Sequence, residues 1–205
     1  MTGETTTGVG VLASGGGSNF EALARACKDG RLSGAKIQLL VTHKRGVGAL
    51  DRAARLGIDS LVIEPSDFPD RESYYEQVAK EMKKRGVEVI CLAGFLLKVE
   101  PSFIHRFAGR ILNIHPALLP KFGGKGMFGH HVHEAVLAAG EKESGCTVHL
   151  VDEEFDHGAT LAQSRVPVFP GDTPDTLAAR VLIEEHRTYP EALRTFIRGM
   201  TKETL

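Results

Sequence analysis

The residues best suited to chemistry lie in Gly109–Phe122, "GRILNIHPALLPKF". An apolar run there stops at Leu-Leu-Pro, and Asn113 and His115 stand two apart where a strand should end. Residues two apart on a strand project to the same side. An amide donor beside an imidazole suits acyl chemistry: one stabilises a developing oxyanion and the other moves a proton. Pro116 biases His115 towards an extended backbone and ends the strand. The plain alternative is a buried, hydrogen-bonded Asn and a half-exposed His, which strand ends often carry. A third group is Asp156, on the tight turn of "EEFDHGA" beside Gly158. Near His115, its carboxylate would raise the imidazole pKa and hold its tautomer. Alone, it is a turn aspartate bonding its own backbone. Sequence does not bring the two together.

A second candidate is the loop in "LASGGGSNFEAL", with three glycines between a strand and a helix. The first N–H groups of a helix are unpaired, its dipole is positive there, and glycine lets an anion reach the backbone. Gly17, Ser18 and Asn19 would supply the donors. A tight turn with Ser18 merely capping the helix is the bland reading, and three glycines exceed what a cap requires. The loop is not GxxxxGK[ST], and Phe20 occupies the last glycine position of GxGxxG. The second strand ends in Thr42, His43, Lys44 and Arg45 rather than an acid, which keeps an NADP enzyme as an alternative. A single phosphate on a small ligand fits better.

The elements that must position these groups alternate along the chain. "GVGVLAS" (8–14), "KIQLLVTH" (36–43), "DSLVIEP" (59–65), "VEVICLAGF" (87–95) and "RILNI" (110–114) are continuous apolar runs, as expected of strands covered on both faces. Between them, "SNFEALARACKDG" reads as a helix with a Ser18–Glu21 capping box and a stop at Gly30. "GVGALDRAARLG" ends at Gly57, and "DRESYYEQVAKEMKKRG" stacks Tyr74, Val78 and Met82 at helical steps. This alternation implies right-handed βαβ units. "CTVHLVDEEF" and "LAQSRVPVF" are separated only by "DHGAT", too short for a crossover helix, so this pair should be antiparallel. A last helix starts at Thr173 and Pro174 and continues through "DTLAARVLIEEH". The fold class is α/β: a single Rossmann-like, doubly wound domain spanning 1–205, with a mostly parallel sheet and an antiparallel pair near the C-terminal part. Residues 1–7 and 201–205 read as tails.

The chain has 205 residues, 42% apolar and 25% charged, with a net charge of −1. Such a balance argues against nucleic-acid and membrane surfaces. Cys27, Cys91 and Cys146 are odd in number and form no CxxC. Free thiols in a reducing, cytoplasmic setting explain them. No apolar segment reaches the roughly 18 residues of a membrane helix, and "MTGETTTG" lacks the features of a signal peptide.

"ASGGGSNFEAL", "LAGFL", "NIHPALLPKF", "GCTVHLVDEEFDHGATLAQ", "VPVFPGDTPDTLAARV" and "EHRTYP" occur together and in this order. In this the chain resembles the glycinamide ribonucleotide formyltransferases, folate-dependent enzymes of purine synthesis, from about Val9 to Ile197. The resemblance implies transfer of a formyl group from 10-formyltetrahydrofolate, a co-substrate, to the amine of glycinamide ribonucleotide. It implies that Asn113, with protonated His115, stabilises the tetrahedral oxyanion. It gives Asp156 the role of raising the His115 pKa and assisting proton transfer from the amine to the leaving folate nitrogen. It assigns Gly17, Ser18 and Asn19 to the ribonucleotide phosphate, Glu185 to the ribose hydroxyls, and Arg71 to the same substrate. Leu96, Leu97, Lys98 and Val99 match one wall of the folate pocket. Asp152, Glu153, Glu154 and Phe155 match the other. Without the resemblance, "FLLKV" reads as strand end and core. The implied partners are small molecules; no metal is expected, and a homodimer is compatible with the sequence.

Between Lys121 and His133 the chain reads "KFGGKGMFGHHVH", several residues longer than the compared members of the family. This glycine-rich stretch is read as a lid beside the site. His130, His131 and His133 cluster there, but a zinc site needs three or four ligands with defined partners, so they read as lid or helix-start residues. Three rivals share the scaffold. Formyltetrahydrofolate deformylase usually carries His-His where His115-Pro116 stands, and has a regulatory domain. Methionyl-tRNA formyltransferase adds an RNA-binding domain, which the near-neutral charge does not favour. A non-catalytic folate- or nucleotide-binding regulator would be expected to have lost part of the trio.

Overall fold

The computed structural model describes residues 6–202. Its elements are β1 (Thr7–Leu12), α1 (Ser18–Lys28), β2 (Ala35–Thr42), α2 (Gly48–Leu56), β3 (Ser60–Val62), a 3-10 turn (Pro65–Asp67), α3 (Arg71–Lys84) and β4 (Val89–Leu92). They continue with α4 (Pro101–Arg106), β5 (Ile111–His115), α5 (His130–Ala138), β6 (Glu143–Leu150), β7 (Thr160–Pro167) and α6 (Pro174–Lys202). Of the residues read as tails, Thr7 opens β1 and Thr201 and Lys202 continue α6; the others lie outside the described residues, apart from Thr6, which precedes β1. Among the described residues, no helix is long and apolar enough to cross a membrane.

The seven strands form one sheet in the order β3-β2-β1-β4-β5-β6-β7. β1 to β5 pair in parallel, whereas β6 runs antiparallel to both β5 and β7. The order reverses at β1, where β2 lies on one side and β4 on the other. A crevice opens at such a switch point beyond the carboxyl ends of the strands. Both faces are covered. Val9, Val11, Cys91, Leu112 and Ile114 pack with Phe20, Leu23, Val181 and Leu193 from α1 and α6. Leu12, Ile90 and Ile111 pack with Tyr74, Val78, Met82 and Phe103 from α3 and α4. Asn113 and His115 alternate with Leu112 and Ile114, so they face the α3–α4 side with Ile111.

One local expectation is corrected, and two helices go beyond the sequence reading. The capping box does not form: Gly17 is the N-cap, in the left-handed region (φ 77°), with no side-chain cap bond. Only glycine suits this position, because a Cβ here would also stand 2.7 Å from Ala49. The Glu21 carboxylate instead pairs with Arg25 and Arg52. Helix α4 has no counterpart in the sequence reading. Helix α6 runs past His186 and through Pro190 to Lys202, because Tyr189, Leu193 and Ile197 extend the apolar stripe begun by Leu177 and Val181. Packing of that stripe outweighs the helix-interior cost of a proline.

Candidate active site

Asn113 and His115 occupy the C-terminal end of β5, where the parallel part of the sheet gives way to the antiparallel part. In register across the ladder, β6 sets His149 opposite Asn113 and Thr147 opposite His115. Thr147 also fixes the segment beyond Pro116: its hydroxyl donates to the Ala117 carbonyl at 2.6 Å and accepts from the Leu119 N–H at 3.0 Å. The Leu119–Pro120 peptide is cis. The chain then turns at Phe122, whose φ is 57°, and brings its carbonyl 2.8 Å from His115 Nε2.

Asp156 reaches this pair from the β6–β7 connection. Its own φ is 55°, and Gly158 packs so tightly that a Cβ there would lie 1.9 Å from the Leu150 carbonyl oxygen. One carboxylate oxygen lies 3.5 Å from His115 Nδ1 and accepts the Gly124 N–H at 2.9 Å. The other accepts from Asn113 Nδ2 at 3.4 Å and lies 3.5 Å from His149 Nε2. The trio proposed from sequence is therefore assembled, with His149 as a fourth, buried member that sequence reading missed. Period-two counting in "CTVHLV" puts Thr147 and His149 on one face, but only the register with β5 shows what they face.

The bonding pattern assigns the tautomers. His149 Nδ1 donates to the Leu150 carbonyl at 2.8 Å, so Nε2 accepts from Asn113 Nδ2 at 3.1 Å. His115 Nε2 donates to the Phe122 carbonyl, which leaves Nδ1 facing the Asp156 carboxylate. Protonation at Nδ1 would convert that contact into an ion pair. Burial, the largest influence, holds the His115 pKa below its ordinary value; Asp156 and the Phe122 carbonyl push upward, and His149 pushes down. The rise expected from Asp156 is thus present as a contribution, but desolvation exceeds it. Burial pushes the Asp156 carboxyl up, yet contacts with His149, His115 and the Gly124 N–H outweigh it and keep the carboxyl below its usual range. An imidazole of depressed pKa beside a committed anion is suited to receiving and passing on a proton.

The trio lies on an open cleft of about 810 Å³. One wall carries Leu97, Lys98 and Val99, and the other Asp152 to Phe155. Leu96 does not line the cleft; it is 52% exposed, and its N–H donates to the Ser14 hydroxyl at 2.8 Å. Arg71 bonds Glu100 and the Lys98 carbonyl, which ties it to the Leu97–Val99 wall rather than to the glycine loop. A second cavity of about 780 Å³ is lined by Asn19, Pro116, His133 and Glu185, and shares Gly94 and Ile114 with the first. Asn19 Nδ2 donates to buried Glu185 at 2.6 Å; burial raises the Glu185 pKa, and this bond opposes the rise. The glycine loop is held from behind, since Gly15 and Gly16 give their carbonyls to the Ala49 N–H and to Arg52. Its helix-start N–H groups at Ser18 and Asn19 have no intrahelical partners. His130 pairs with Asp175, and His131 with Glu134. Among the described residues, no three His, Cys, Asp or Glu side chains are grouped to hold a metal ion.

A doubly wound sheet with an Asn–His pair at the end of β5 and an aspartate folded over it matches a known family. The sequence profile described as formyl transferase matches residues 8–193, and the chain belongs to that family. It is 38% identical to the phosphoribosylglycinamide formyltransferase of Escherichia coli (strain K12), covering 94% of this chain and 88% of that protein. It is 45% identical to the trifunctional purine biosynthetic protein adenosine-3 of Drosophila pseudoobscura pseudoobscura over 93% of this chain, but spans only 14% of that relative's length. Among solved structures, glycinamide ribonucleotide transformylase 1 from Symbiobacterium toebii superposes with a TM-score of 0.91 at 38% identity, covering 97% of this chain and 90% of that one.

Proposed function

We propose that the chain transfers a formyl group from 10-formyltetrahydrofolate to the amine of glycinamide ribonucleotide, giving formylglycinamide ribonucleotide and tetrahydrofolate. The observation that carries this reading is the meeting of two cavities at Gly94 and Ile114, beside the assembled Asn113, His115 and Asp156. Relatives named for this reaction match nearly the whole chain.

In this reading Ser18 and Asn19 offer N–H groups to the phosphate at the start of α1, and Glu185 with Asn19 receives the ribose hydroxyls. Leu97 to Val99 and Asp152 to Phe155 hold the folate, with Arg71 bracing the first of these segments. The amine attacks the formyl carbon, and the carbonyl π electrons move to oxygen. Asn113 turns an amide hydrogen to that oxyanion, which would be worth about 10²–10³ in rate. His115 takes up at Nδ1 the proton that the attacking amine loses, and the imidazolium, held between Asp156 and the Phe122 carbonyl, places a positive charge beside the oxyanion. Collapse re-forms the carbonyl and breaks the bond to the folate nitrogen, which receives the proton lost by the amine through the His115–Asp156 pair. Residues 1–205 act as a single catalytic domain.

The test is spectroscopic release of tetrahydrofolate with and without glycinamide ribonucleotide. Release that requires the ribonucleotide is expected. Equal release in its absence would replace the transferase with a hydrolase that passes the formyl group to water.

A further inference from the structure

We infer that Phe128 is a specificity-determining residue for the formyl donor, its ring packing on the donor's aromatic portion at the cleft mouth. This rests on the proposed function, and it concerns a stretch that the resemblance leaves unassigned. The long glycine-rich loop adds a third wall to the donor cleft: Gly124, Gly126, Met127 and Phe128 all line it. The Met127 N–H donates to the Gly124 carbonyl at 3.1 Å, closing a turn that presents Phe128.

Exposure singles this ring out. Phe128 is 49% exposed and Phe155 45%, both at the same cleft. The other exposed phenylalanine, Phe169, lies under the Arg180 guanidinium at 4.5 Å and so has a partner within the fold. Phe155 has Lys98 over its face at 5.6 Å. Among the described ring contacts, Phe128 makes a T-shaped one with His131, with centroids 5.5 Å apart and planes at 84°; Glu134 steadies that imidazole at 3.3 Å. A T-shaped contact steadies a ring and leaves at least one of its faces free to stack. A half-exposed aromatic pre-set at a pocket mouth gains most when a flat apolar group covers it. The donor carries such a group, a benzoyl ring between its pterin and its glutamate, and the ribonucleotide has none. Burial of the remaining exposed face is worth roughly a tenfold change in affinity.

The prediction for Phe128→Ala is a donor KM about tenfold higher, with the ribonucleotide KM and kcat within twofold of the parent; Phe128→Tyr should restore the donor KM. The chain has no tryptophan, so Phe128→Trp introduces a single reporter. Its emission should shift to the blue when tetrahydrofolate is added anaerobically, and stay unchanged with the ribonucleotide alone. An unchanged donor KM in Phe128→Ala, or emission indifferent to tetrahydrofolate, overturns the assignment. Failure of the parent protein to transfer formyl groups would refute the proposed function instead, while the tetrahydrofolate shift still reads the cleft independently.

Discussion

Lowering the pH should unfold this protein partly through one histidine that lines the second cavity. His133 is 5% exposed, its Nδ1 has no hydrogen-bond partner among the described residues, and burial, assisted by His130 and His115, pushes its pKa from 6.5 down to about 4. A depressed imidazole pKa means that the unfolded chain binds a proton that the folded chain refuses. Stability therefore falls as pH drops from about 6.5 towards about 4, and is unaffected by this group above that window. At about 1.36 kcal/mol per unit, the effect has a ceiling of about 3 kcal/mol, of which roughly 2.5 is reached by pH 4.5. Replacing the imidazole by the neutral amide in His133→Gln removes that proton. Urea unfolding of both proteins at pH 7.5 and 4.5 separates the effect from titrating carboxylates, which both share. The variant is expected to start less stable at pH 7.5 and to lose about 2 kcal/mol less on acidification. Parallel losses in the two proteins would refute a neutral, desolvated His133.

Asp156→Asn should lower kcat by about 10³ or more while calorimetric ribonucleotide binding persists; collapse of binding instead would make Asp156 structural. His149→Ala should lower kcat by about tenfold to a hundredfold with little change in either KM, because it frees Asn113 Nδ2 to lose its orientation; unchanged kcat would remove His149 from the site. Gly17→Ala should cost about 1–3 kcal/mol in urea unfolding, since it combines a left-handed φ with a contact against Ala49, and should raise the ribonucleotide KM. Full stability there would mean that the loop backbone is not held as described.

Much of the scaffold is legible because continuous apolar runs and helical stripes carry a period. β1, β2, β4 and β5 coincide closely with the expected runs, and the late hairpin is implied by the shortness of its connection. α4 escapes because six residues are too few for a stripe. The sequence reading follows α6 only through "DTLAARVLIEEH", because the stripe beyond it is legible once its residues are seen buried. At the site, Asn113 and His115 announce themselves by type and spacing, and Asp156 by its turn. His149 looks like ordinary strand because register with β5 is a tertiary fact. The placement of Arg71 against Lys98 and Glu100 has no local signal either. Two contacts are invisible in principle, since they come from backbone atoms: the Phe122 carbonyl on His115 and the Gly124 N–H on Asp156.

Those two contacts set a rule for how this stretch can change. Because main-chain atoms make them, the side chains at 122 and 124 can be exchanged wherever the new residue accepts the local φ, and the imidazole and carboxylate would still find their partners. The number of residues between them has no such freedom. Deleting Gly123 would shorten the span between the two contacts, so that the Phe122 carbonyl and the Gly124 N–H could not both reach His115 and Asp156. The loop is thus tolerant of spelling and intolerant of length, so a single deletion should silence the site more completely than most substitutions within it.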